Sequence, residues 1–195
     1  MQRLKYGLIG ILCLLAGCDA DNKYNTYYPV NFVFYANLYP TCALTRALNS
    51  PGDFCIVEPW KDNRGQWHLK LTPNHGQWAD SDVNLALGTT IDNKMINYNM
   101  MGAGMGLIIG HSNAFGKKCF DLQCPNCLKE QGIARYKMEW TDNGNHLKCS
   151  NCNRVYNQDN DDGTIVSGGK KGDNMLIQYQ HITYDQTVGR LLIHN

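Results

Sequence analysis

Two stretches, "DLQCPNCLKEQG" (Asp121–Gly132) and "LKCSNCNRVY" (Leu147–Tyr156), each set two cysteines three apart in a short polar turn. Together they read C-x2-C-x21-C-x2-C across Cys124, Cys127, Cys149 and Cys152, because residues 128–148 separate the pairs. Two residues between cysteines let one tight turn aim both thiolates at a common point. Two such turns facing each other complete a tetrahedron of sulfur, the shell that zinc takes at Zn–S near ~2.3 Å. Iron takes the same four-sulfur shell, singly or as a cluster. Pro125 fixes one turn residue, and Asn126 and Asn151 suit turn backbone. Backbone N–H groups in such turns can donate to sulfur and offset thiolate charge. The competing uses are two disulfides or a redox dithiol. A dithiol of the thioredoxin kind opens a helix, whereas here each pair stands between apparent strands.

Outward from the turns, the start of the chain sets the address. "MQRLKYGLIGILCLLAGC" carries Arg3 and Lys5, an apolar run from about Tyr6 to Ala16, then Leu15-Ala16-Gly17-Cys18. A basic start, a short apolar core and small residues at the end make a signal peptide. The run is shorter than the roughly 20 apolar residues of a permanent span. Its ending resembles the lipobox of bacterial lipoproteins, which implies cleavage before Cys18 and a lipid such as palmitate on its thiol. The expected address is the bacterial cell envelope, anchored to membrane through Cys18. An exported protein makes disulfides more plausible than a cytosolic one would.

Removing residues 1–17 leaves 178 of the 195 residues, enough for one domain with a substantial core. Residues 18–28 read as a tether and 29–195 as a single domain, with a metal-binding subdomain at about 119–157. Net charge is +1 with no basic run, so no nucleic-acid partner is expected. Val30–Leu38 is rich in β-branched and aromatic residues and reads as a strand. Phe54–Val57 reads as another, stopped by Pro59. "QWHLKLT" alternates Trp67, Leu69 and Leu71 against polar residues, the period of a half-buried strand. Leu107–Ile109 reads as a buried strand, because four glycines make a helix over "MGAGMGLIIGHS" costly, and "KKCFDLQC" reads as another short strand leading into the first cysteine turn. Val155-Tyr156 and Thr164–Val166 flank an Asp162-Gly163 turn, and two strands close the chain. "PTCALTRALNS" reads as a short helical turn or loop. The fold expected is mainly β, with little helix.

Residues around the cysteines then resemble a known family. "GKKCFDLQCPNC", "LKCSNCNRVYNQDNDDGTIVSGG" and "MLIQYQHITYDQTVGRLLIHN" together are similar to the Rieske iron–sulfur domain over roughly residues 104–195. Cys124-Pro125 matches its first ligand turn and Cys149 its second. Tyr156 matches its aromatic, Gly163 its hairpin and Gly168-Gly169 its glycine turn. The resemblance implies a Rieske-like antiparallel β-sandwich, with the two cysteine turns as a small metal-binding subdomain. Both histidine ligands of the family are missing: Asn126 stands at one position and Cys152 at the other. Without imidazole ligands the raised potential of a Rieske centre does not carry over. A four-cysteine site remains, like a zinc ribbon or rubredoxin on a Rieske-like frame.

The signal lacks an Arg-Arg pair and reads as the route that exports unfolded chains, which an assembled cluster would not survive. Structural zinc in a non-enzymatic protein is therefore the leading expectation. An electron carrier with a [2Fe–2S] cluster or single iron comes next, and a disulfide-stabilised surface binding module third. No residue pattern names a protein or redox partner. Cys42 and Cys55 flank a loop and are candidates for a disulfide, which leaves Cys119 alone as a buried strand thiol. The six histidines show no ligand spacing, and His146 reads as a solvated hairpin residue. "NQDNDDG" fails as an EF-hand loop: counted from Asn157, its sixth and twelfth positions are Asp162 and Gly168 rather than Gly and Glu. Trp60, Trp67 and Trp78 read as core or partly buried aromatics.

Overall fold

The apolar runs become strands, and what lies on each side of a strand explains its pattern. A computed structural model describes residues 24–88 and 100–195. The leader 1–17, Cys18 and the first part of the tether lie outside the described residues. Strand β1 (Asn31–Tyr35) is followed by helix α1 (Ala43–Asn49), β2 (Phe54–Lys61), β3 (Trp67–Pro73), the single-turn helix α2 (Asp80–Val83) and β4 (Asn84–Ala86). After residue 99 come β5 (Leu107–Ser112), β6 (Gly116–Asp121), helix α3 (Pro125–Gln131), β7 (Met138–Thr141) and β8 (His146–Cys149). The chain ends with β9 (Val155–Tyr156), β10 (Ile165–Ser167), β11 (His181–Asp185) and β12 (Arg190–His194). The strands form three antiparallel sheets, ordered β4-β3-β2-β5-β6, β10-β9-β8-β7 and β1-β12-β11. The protein is mainly β.

The five-stranded sheet is covered on both faces, which is why β2 and β5 read as unbroken apolar runs. Successive side chains alternate between faces. Cys55, Val57, Leu107, Ile109 and Cys119 enter one core with α1 and with Phe32, Phe34, Leu191 and Ile193 of the three-stranded sheet. Phe54, Ile56, Ile108 and Phe120 enter the other, against Met138, Leu147, Cys149 and Tyr156 of the four-stranded sheet. The two sheets behind that second core are also tied by hydrogen bonds. The Trp140 indole donates to the Thr72 carbonyl at 2.8 Å, and the Asn74 amide donates to the Gly144 carbonyl at 3.3 Å. At Gly144, φ is +87° and a Cβ would run into the Asn74 carbonyl, so only glycine lets the β7–β8 turn approach this closely.

Several expectations need correction. Pro59 does not stop β2, which runs on to Lys61. Beyond Val57 only β3 flanks it, and a proline without an N–H is tolerated on such an edge. "CALTRALNS" forms a seven-residue helix capped by Cys42, whose sulfur accepts from the Thr45 amide at 3.4 Å. Ala43, Leu44, Ala47 and Leu48 make its buried stripe. The strand expected over Val30–Leu38 ends at Tyr35 and tightens into a 3-10 turn at Ala36–Leu38. Residues 24–28, read as tether, are bound to the domain: the Asn25 amide donates to the Gln178 carbonyl at 2.8 Å, and the Asn195 side chain donates to the Tyr28 carbonyl at 2.9 Å. The bridge considered for Cys42 and Cys55 is not formed; both are buried free thiols. Cys42 is occupied as a helix cap, and Cys55 donates to the Ile56 carbonyl. Burial pushes both thiols up, Cys55 strongly. Cys119 is also a fully buried free thiol on β6.

Candidate metal centre

The first cysteine pair opens a helix, contrary to the expectation of a turn between strands. Cys124 is the N-cap of α3, and Pro125 follows at the first helical position, where its missing N–H costs nothing. Gly132 closes the helix in the left-handed conformation, with φ of +68°. Cys124 and Cys127 are three apart, so they share one face of this first turn. Strand β6 aims the turn. Past Asp121, the Leu122 amide bonds Gly106, and the Cys124 amide donates to the Tyr136 carbonyl at 2.8 Å. The second pair begins on the last residue of β8. Asn153, with φ of +60°, folds the chain back so that its amide donates to the Cys149 carbonyl at 2.8 Å.

The four sulfurs converge. All Sγ atoms of Cys124, Cys127, Cys149 and Cys152 lie within 4.8 Å of one another. Two contacts between the turns are 3.7 Å from Cys124 to Cys152 and 3.6 Å from Cys127 to Cys149. Four sulfurs at ~2.3 Å from one ion stand about 3.8 Å apart along a tetrahedral edge. A disulfide instead requires about 2.05 Å, and all four are free thiols. Cys124, Cys127 and Cys149 are fully buried, while Cys152 is partly exposed. The cluster could hold a metal ion, each cysteine offering one sulfur.

Donors surround the sulfurs, as the turn geometry suggested. Hydrogen bonding from Cys124, with the Asn151 and Cys152 amides behind it, holds Cys149 down to about 5. The same bond to Cys149, with burial, pushes Cys124 strongly up. Burial pushes Cys127 up to about 11. Metal binding must displace the protons that the thiols keep. The Asn151 side chain donates to the Cys127 sulfur at 3.4 Å. The Asn126 Nδ2 donates to the Tyr156 hydroxyl at 2.8 Å. That leaves the Tyr156 proton free for the Cys124 sulfur, 3.8 Å away.

Sequence reasoning missed the residues that brace this site. Asn126 is buried and binds both Asn174 main-chain groups at 2.8 Å. Arg154 is buried beside the second turn. It grips both Asp173 oxygens at 2.8 and 2.9 Å and Glu130 of α3 at 2.7 Å. These partners push the guanidinium up. Asp121 is buried and takes four donors: the Ala103, Gly104 and Gln123 amides and the Tyr179 hydroxyl. This explains the glycine-rich stretch after Met101, where a Cβ at Gly102 or Gly104 would strike Asp121. The only sequence signal for these braces was a polar residue inside or beside an apolar run.

Other features have ordinary partners. His146 bonds Asp142 at 3.0 Å on the β7–β8 turn and is not among the clustered ligands. In the 157–163 loop, Asp159 binds Asn113, Lys118 binds Asp161, and Asn160 caps Gly163. Trp67 and Trp78 pack on the larger core, and Trp60 stacks on His68 with 43% of its surface exposed. With this geometry in hand, comparison with family models, curated proteins and solved structures finds no match.

Proposed function

We propose that the protein is an exported, non-enzymatic lipoprotein of the bacterial cell envelope, anchored through a lipid on Cys18, whose Cys124, Cys127, Cys149 and Cys152 hold one structural zinc ion. The observation that carries the metal reading is the sulfur tetrahedron, with edges of 3.6 and 3.7 Å and no separation above 4.8 Å. It supports a single ion over a binuclear cluster, because two bridged irons hold two sulfurs each and spread the pairs apart. Zinc suits four thiolates without an open position, and it can be acquired after export of an unfolded chain. Bound there, it would tie α3 to the β8–β9 turn and contribute folding energy.

The frame is read as Rieske-like. Strand β8 delivers Cys149, β9 carries Tyr156, and Gly163 and Gly168 both take positive φ in the turns that follow. Asn126 spends its amide on Tyr156 and Asn174 rather than on a ligand position, which fits the loss of the family's histidines. A second reading, an electron carrier with a single iron in the same sulfurs, draws support from Cys152. It is the one partly exposed ligand, and hydrogen bonds to sulfur set such potentials. The separations between sulfurs count against the disulfide-stabilised module.

Elemental analysis of protein made in its native compartment decides between these. One zinc per chain and a colourless solution are expected. One iron per chain with a visible band and a reversible one-electron couple would replace zinc with the carrier. Labelled fatty acid should enter the parent and be absent from Cys18→Ser; label in Cys18→Ser would remove the anchor assignment.

A further inference from the structure

The segment nearest the proposed anchor is fastened beside the metal turns. Tyr24 forms a parallel bridge with Gln178, and the Asn25 amide donates to the Gln178 carbonyl. The Asn25 side chain accepts from the Tyr27 and Tyr28 amides at 3.0 and 3.2 Å, and Asn195 binds the Asn25 and Tyr28 carbonyls. Only residues 19–23 separate Cys18 from Tyr24. Six extended steps reach about 21 Å at most. A lipid on Cys18 would therefore hold the Tyr24 end of the domain at the bilayer.

That end is the metal end. A groove of about 450 Å³ lies between the fastened segment and α3, lined by Asn25, Tyr28, Pro125, Leu128, Lys129 and Gln178. A second groove of about 520 Å³, along Val166, Gly168 and Lys170, shares Asp173 and Met175 with the first. The two make one continuous face. Its outward side chains suit a membrane interface: Tyr27 is 82% exposed, Val166 50% and Met175 41%. Tyrosine and aliphatic side chains favour the headgroup boundary, and lysines favour anionic lipid. Lys129, Lys170 and Lys171 are exposed there, while the neighbouring acids Glu130 and Asp173 are drawn onto Arg154. The outer rim is left with an excess of positive charge.

The geometry points to a membrane-contact surface: Tyr27, Lys129, Val166, Lys170, Lys171 and Met175 lie against the headgroups of an anionic bilayer, with the metal centre directly behind them. This rests on the reading that Cys18 carries the lipid. The occupant is the lipid surface itself, because the leash is short, the rim is basic and apolar side chains project from it.

The test is amine footprinting with an impermeant acylating reagent, read by peptide mass spectrometry. Full-length lipidated protein is compared on phosphatidylethanolamine–phosphatidylglycerol vesicles and in neutral detergent. Lys129, Lys170 and Lys171 should react about threefold more slowly on vesicles, as lysines seated in an anionic surface do. Lys61 and Lys70, on the β2–β3 hairpin across the sheet from β6, should react equally in both. Lys170→Glu/Lys171→Glu/Met175→Ser should return Lys129 to its detergent rate with metal content unchanged. The same spectra report the mass of the Cys18 peptide. Lipid on Cys18 with equal labelling in both media would overturn the surface and leave the anchor standing. A Cys18 peptide without lipid would remove both. Protection of Lys61 and Lys70 instead would place the β2–β3 edge of the sheet on the membrane and refute the orientation.

Discussion

Replacing Asn126 with leucine should weaken the fold about the metal turns without touching a ligand. Asn126 makes three bonds, each at 2.8 Å: to the Tyr156 hydroxyl, the Asn174 carbonyl and the Asn174 amide. At about 1 kcal/mol net each, their loss costs about 3 kcal/mol. The Asn174 groups lie in an exposed residue and can turn to water, but the Tyr156 hydroxyl is fully buried and cannot. A buried hydroxyl left with only the Cys124 sulfur, 3.8 Å away, as partner adds about 1 kcal/mol more. Leucine keeps the branched four-heavy-atom shape and is not smaller, so no cavity cost enters. With a urea slope of roughly 2 kcal/mol per molar, the midpoint should fall by about 1.5–2 M. The assay is urea unfolding at a fixed free zinc concentration, which keeps the contribution of metal binding constant between variants. Hydrogen exchange should quicken first in α3 and in residues 173–176. A midpoint shift below about 0.3 M would refute the view that Asn126 braces the site.

Two further outcomes follow from the braces. Asp121→Asn should destabilise the chain by about 2–4 kcal/mol, because an amide nitrogen must face donors on one side of a carboxylate that now receives four; unchanged protection of residues 102–106 in hydrogen exchange would contradict this. Burial raises the Asp159 carboxyl, yet the side-chain and backbone amides of Asn113 outweigh burial and hold it below the usual range. Its contribution is therefore complete above the unfolded value near ~3.9 and is lost as pH falls through the lower folded one. Protection factors in residues 112–114 and 157–161 should drop between pH 4 and pH 3 by roughly that linkage and stay flat above pH 5. Protection that holds through pH 3 would detach Asp159 from this role.

Much of the fold was legible because its signals are local. The runs around Phe54–Val57 and Leu107–Ile109 read as strands, and their double-sided burial is the reason they carry no polar alternation. Trp67–Thr72 alternates because Lys70 is exposed between buried Leu69 and Leu71. The four cysteines were legible from spacing alone, since each pair is positioned by its own turn. Long-range partners were not legible. Asn126 gains its role from Asn174 and Tyr156, and Arg154 from Glu130 and Asp173. Tyr24–Tyr28 looked like free tether because its partners, Gln178 and Asn195, stand at the far end of the chain. Helix α3 was hidden by its length: seven residues beginning with a proline carry too little periodicity to outweigh a reading as turn.

The most direct test of the central claim is metal per chain, with free-thiol titration, in the parent and in Cys149→Ser and Cys119→Ser, each made in the native compartment. The account predicts about one ion per chain in the parent and in Cys119→Ser, because Cys119 faces the larger core, away from the four clustered sulfurs. In Cys149→Ser the content should fall below about half, because removing one of four thiolates opens the shell. A fully occupied Cys149→Ser protein, or a parent with neither metal nor reactive thiols, would contradict the four-cysteine centre.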